Sequence, residues 1–179
     1  MEKPNADVNA DANVDGIASS FSGFGLTFPL IEALKESSPA TKVKEMLIQN
    51  PSVVKNGKPL HVALENKYSL EVIEVIIKAD PDVIKGKDSK NRTALQVALG
   101  SKCSLDVIEL ILQAWPEAIK EKDGNNRTAL HMALRVKCSL EVIELILQTW
   151  PEVIKEKDGY NRTALHMALR GNCSLEVIE

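Results

Sequence analysis

No run of apolar residues approaches the roughly 20 that a bilayer-spanning helix requires, and the start has no basic region followed by an apolar block. Neither membrane insertion nor secretion is signalled. A basic excess is missing too. The net charge is -3 over 179 residues, and Glu2, Lys3, Asp7, Asp11 and Asp15 account for all of it. The remainder is balanced, which leaves no electrostatic footprint for nucleic acid. Cysteine is scarce, at three residues without CxxC or close Cys/His spacing, so no metal site is expected. Phosphate-loop, HExxH, GxSxG and kinase signatures are absent. His61, His131 and His166 are the only candidates for acid–base work, and no matched acid or nucleophile motif accompanies them. The expectation is a non-enzymatic protein with no cofactor.

What the chain does have is repetition. Asn91 to Asn125 (NRTALQVALGSKCSLDVIELILQAWPEAIKEKDGN) is followed by a near copy, Asn126 to Tyr160, and by a third that runs from Asn161 to Glu179. A looser copy precedes them from Pro59, in register, since Leu60, Leu95, Leu130 and Leu165 are each 35 apart. A fixed period of that size means stacked supersecondary units rather than one globular core.

Punctuation divides each unit. Thr128 can cap a short helix from Ala129 to Arg135, and Ser139 a second from Leu140 to about Thr149, with Glu141 where the helix dipole favours negative charge. Pro151 closes the second helix, and the Asp-Gly after KEK signals a tight turn. In the second helix only Glu141, Glu144 and Gln148 form a polar line, so it is expected to be sandwiched between neighbours. Down the stack that line makes an acidic stripe through Glu71, Glu74, Asp106, Glu109, Glu141 and Glu144, read as a solvated face. Trp115 and Trp150 read as anchors between units. Cys103, Cys138 and Cys173 share one repeat position, and neighbouring copies at about 8–10 Å are too far apart for a disulfide, which suits a reducing compartment.

The divisions that follow are a flexible acidic leader at 1–27, an amino-terminal capping repeat at 28–55, units at 56–90, 91–125 and 126–160, and an incomplete unit at 161–179. Asp11, Asn13, Asp15 and Gly16 match half of a calcium loop but lack the bidentate glutamate, and Gly23 and Gly25 lack the rest of a nucleotide fingerprint. The capping repeat has Lys42 and Glu45 where inner copies have Val72 and Val75, as a unit with one neighbour allows.

TALHMAL at Thr128 to Leu134 and again at Thr163 to Leu169, followed by SLEVIELIL and a DG turn, resembles the ankyrin repeat and its T-P-L-H-x-A signature. Alanine replaces proline at Ala94, Ala129 and Ala164, Gln96 replaces one histidine, and asparagine replaces the turn glycine at Asn91, Asn126 and Asn161. Asparagine is the residue best able to take that left-handed conformation. The resemblance implies an all-α helix-turn-helix repeat solenoid, a structural role for the histidines, and a protein-binding face made of first helices and turn tips.

Otherwise near-identical copies differ at the turn tips and at the ends of the first helices. The partner-contact candidates are Ser89, Lys90, Gly124, Asn125 and Tyr160 at the tips, Arg135, Val136 and Arg170 at the first-helix ends, and Met132 and Met167 on the helices themselves. The expected partner is a protein, bound by a cytoplasmic or nuclear monomer with no nucleic-acid or membrane partner. The alternative is a sensor or docking region of a longer signalling enzyme or channel subunit, since Glu179 falls midway through a second helix.

Overall fold

The computed structural model describes residues 27–35, 39–50, 58–171 and 173. The leader up to residue 26, its half calcium loop and GxG, the closing Pro51 of the first unit, and the second helix after Ser174 lie outside the described residues.

Nine α-helices run through the described residues: α1 (Thr27–Lys35), α2 (Ala40–Gln49), α3 (Lys58–Glu65), α4 (Leu70–Ala79), α5 (Ala94–Ser101), α6 (Leu105–Ala114), α7 (Ala129–Val136), α8 (Leu140–Thr149) and α9 (Ala164–Arg170). No strand is present among them, only an isolated antiparallel bridge between Lys87 and Thr93. Odd-numbered first helices pack in one row, α1 on α3, α3 on α5, α5 on α7 and α7 on α9, while α2, α4, α6 and α8 form a second row behind. The molecule is an all-α repeat solenoid in two layers.

The local causes recur in each copy. Thr128 accepts a bond from the His131 N–H at the start of α7, and Thr93 does the same for Gln96. Between the helices, Lys67, Lys102 and Lys137 take left-handed conformations (φ 54°, 55° and 56°), and the following residue closes the turn, as Cys138 N–H does on the Ala133 carbonyl. Ser69, Ser104 and Ser139 stand before the second helices, but their hydroxyl oxygens accept no capping bond from the helix N–H groups; the Ser139 hydroxyl instead donates to the Glu141 carboxylate and favours its ionised form.

Pro81, Pro116 and Pro151 do more than end the second helices. Each opens a five-residue 3-10 helix: Pro81–Lys85, Pro116–Lys120 and Pro151–Lys155. These turns send Val83, Ile84, Ala118, Ile119 and Val153 back into the core.

Second helices are sandwiched as their composition requires. Ile73, Ile76, Ile108, Ile111 and Ile146 are fully buried, whereas Lys42 and Glu45 of α2 face solvent at the outer side of the first unit. The acidic stripe is exposed or half-exposed throughout. Glu71 pairs with Lys44 across units, and Glu74 with Lys78 one turn on.

Candidate functional site

The surface that carries the varied residues is built on a turn that recurs three times. Asp88, Asp123 and Asp158 each accept two backbone N–H bonds on one carboxylate oxygen, from residues two and four further on, at 2.8 to 3.0 Å. The other oxygen takes the guanidinium of Arg92, Arg127 or Arg162 at 2.6 Å. Burial of the Asp158 carboxyl works against its ionisation, but side-chain and backbone bonds from Arg162 and the Tyr160 N–H outweigh it and hold the pKa at about 2. Asp88 and Asp123 are lowered on the same balance of burial against arginine.

Asn91, Asn126 and Asn161 close these turns at φ 58°, 59° and 62°. The tips are then joined to one another. Gly124 N–H donates to the Lys90 carbonyl (3.0 Å) and Gly159 N–H to the Asn125 carbonyl (2.8 Å). A Cβ at either glycine would lie 2.9 Å from that carbonyl oxygen, so the approach requires glycine.

Beneath the tips, the histidine position ties adjacent units. His131 Nε2 donates to the Arg162 carbonyl (2.9 Å), and Nδ1 accepts from the Thr128 hydroxyl (2.8 Å). Gln96 performs the same task, accepting from Thr93 N–H and donating to the carbonyls of Glu121 (2.9 Å) and Arg127 (3.2 Å). His61 reaches the Arg92 carbonyl in turn. Cys103, Cys138 and Cys173 are half-buried free thiols, each pointing at the carbonyl of the preceding unit's Leu64, Leu99 or Leu134. Burial pushes the Cys103 and Cys138 thiols up, which makes them poor nucleophiles. Trp115 and Trp150 are half-buried against the core.

The expected contact residues divide into two groups. Ser89, Lys90, Gly124, Asn125, Tyr160, Arg135 and Arg170 are exposed, Tyr160 at 70% with the Arg162 guanidinium 4.7 Å from its ring centre. Val136 is half-buried. Met132 and Met167 are largely buried, 1% and 6% exposed; Met132 is a core residue and its place on the contact face is corrected accordingly, whereas Met167 still lines a cleft beside Arg170. First helices sit between neighbours, so their mid-helix apolar positions fill the space between units. Met132 reaches the surface only through Arg135, whose Nη2 lies 3.0 Å from its sulfur.

The Asp–Arg pairing was not part of the sequence reading, which took the DG only as a tight turn. Its signal is an aspartate four residues before an arginine at three successive junctions 35 residues apart. Two clefts open on this side. One of about 590 Å³ lies among α1, α3 and the first tip, where Lys35, Lys87, Lys90 and Arg92 are interleaved with Glu65 and Asp88. The other, about 350 Å³, is lined by Arg135, Arg162, Met167, Arg170 and Gly171. Among the described residues no group of histidine, cysteine or acidic side chains is arranged to hold a metal ion, and no helix is long and apolar enough to cross a membrane.

No family model matches the chain, and no curated protein matches it. What the surface binds is therefore read from its own side chains.

Proposed function

We propose that the chain is a non-enzymatic protein-binding module of the ankyrin-repeat kind, which grips a protein partner with the turn tips and the ends of its first helices. The observation that carries this reading is the division of labour within the repeat. Asp, Arg, Asn and Thr recur and are spent on hydrogen bonds within and between units, whereas the varied tip residues Lys90, Asn125 and Tyr160, and Arg135 and Arg170 in the slot where other copies have Glu65 and Gly100, are exposed, while Gln96/His131, Val97/Met132 and Ala118/Val153 differ inside the core. Varied residues on an unvarying frame are what a recognition surface requires. Tyr160 and Arg135 are the strongest anchors by residue type.

Engagement of the histidines by threonine and backbone carbonyls supports a structural role over a catalytic one. Three free thiols suit a reducing compartment, and we place the module in the cytoplasm or nucleus, acting as a monomer.

The test is capture from native lysate by the full chain and by a triple variant, Arg135→Ala, Tyr160→Ala and Arg170→Ala, with circular dichroism confirming that both are folded. Proteins identified with the parent and lost with the variant are the expected result. An identical catch from both would overturn the surface assignment, and no catch from either would overturn the binding reading.

A further inference from the structure

The ends of the first helices form a row in which the same slot holds Lys35, Glu65, Gly100, Arg135 and Arg170. Twenty-seven residues after Glu65, Gly100 and Arg135 stands the turn arginine of the following unit, Arg92, Arg127 or Arg162. In the first such pairing Arg92 Nη2 meets the Glu65 carboxylate at 2.8 Å, across 27 residues of sequence. At the same offset from Arg127, the slot holds Gly100, which offers no side chain. At the third, the slot holds Arg135, which lines one cleft of about 350 Å³ together with Arg162 and Arg170. A position built for an ion pair is thus satisfied once, vacated once and inverted once.

The cleft has no negative charge to spare. Among the described residues no carboxylate lines it, and the Asp158 side chain, which pairs with Arg162, is wholly buried and also bound to the Tyr160 and Arg162 N–H groups. Neither Arg135 nor Arg170 has a carboxylate partner among the described residues. Partial burial of the Arg135 guanidinium, and then the charge of Arg127, lower its proton affinity, with Asp123 opposing. Gly171 stands where the preceding copy has Val136, and among the described residues it brings no side chain to the mouth.

Resting on the protein-binding reading above, we propose that the cleft of Arg135, Arg162 and Arg170 is a carboxylate-binding subsite that receives an acidic segment of the partner protein. An incoming glutamate or aspartate supplies between Arg135 and Arg162 the charge that Glu65 supplies to Arg92. Arg170 takes a second carboxylate, and Tyr160 packs beside the segment. Guanidinium forks match carboxylates in a bidentate fashion. A nucleic acid would call for a basic stripe along the stack, and the chain's balanced charge has none.

The experiment is calorimetric titration of the full chain with a short peptide of alternating glutamate and alanine, and with its glutamine counterpart, inorganic phosphate and phosphatidylserine vesicles as separate arms. The acidic peptide is expected to bind alone, with affinity falling as salt rises. Arg135→Glu and Arg170→Gln together are expected to weaken it at least about tenfold. Arg135→Glu by itself is expected to keep or raise Tm, because the introduced carboxylate pairs with Arg162; lost binding in a chain at least as stable is the signature of the subsite.

Unchanged binding by the double variant, no binding of the acidic peptide, or preference for phosphate or vesicles would each overturn the proposal. Lysate capture that depends on Tyr160 in a chain indifferent to the acidic peptide would remove the subsite and leave the binding module standing.

Discussion

At the scale of single residues the molecule contains its own control experiment. Gln96 and His131 occupy the same repeat position, and both join the threonine at the helix start to the turn of the next unit. The task requires an acceptor near the threonine and a donor reaching about one unit further, and either side chain has both. His131→Gln is therefore expected to change stability by less than about 1 kcal/mol. His131→Ala, which deletes both bonds in a buried site, is expected to cost about 2–3 kcal/mol in urea unfolding. Equal losses from the two substitutions would mean that imidazole packing, rather than bonding, is what the position requires. Much of this was legible in the sequence, because threonine and histidine or glutamine recur three apart at Thr93/Gln96, Thr128/His131 and Thr163/His166. The burial of Met132 was not. One strand of sequence shows which residues share a helix face, but here both faces of the first helix meet neighbours.

At the scale of elements, the helices follow their punctuation closely. The second helix of the unit at 126–160 runs from Leu140 to Thr149 as its flanking serine and proline indicate, and the first ends one residue beyond Arg135. The 3-10 helices opened by the prolines were not legible, since five residues are too few to show a period. The Asp–Arg turn was overlooked for a different reason: its parts fall across the boundary where one copy ends and the next begins.

That junction is also where glycine matters most. Gly124→Ala places a methyl group 2.9 Å from the Lys90 carbonyl oxygen, and the backbone must move to admit it. The expected cost is about 1–3 kcal/mol, read as a lower thermal midpoint, with hydrogen exchange at Gly124 and Asn126 accelerated relative to α8. An unchanged melt would show that the tips separate freely.

At the scale of the whole molecule, each unit's burial depends on the one beside it. Leu130 is 2% exposed and Leu165, its counterpart one repeat later, 50%, while Leu134 and Leu169 differ in the same way at 3% and 58%. Leu130→Ala is expected to cost about 2–5 kcal/mol, and Leu165→Ala about 1 kcal/mol or less, by chemical denaturation of otherwise identical chains. Similar costs would mean that Leu165 is covered in solution. This gradient was not readable residue by residue, because identical sequence at the two positions meets different surroundings; the 35-residue register was, because leucine recurs at it without drift.

The tips of the stack have a consequence for how such a molecule can change. At residues 90 and 125 the N–H is held by an aspartate and the carbonyl by the glycine of the next unit, so both peptide groups are committed while the side chain stands in water. Lysine, asparagine and tyrosine already occupy three successive sites of this type. They behave as interchangeable letters on a fixed line, and a library randomised at 90, 125 and 160 is expected to change the surface while the spelling of the frame stays the same.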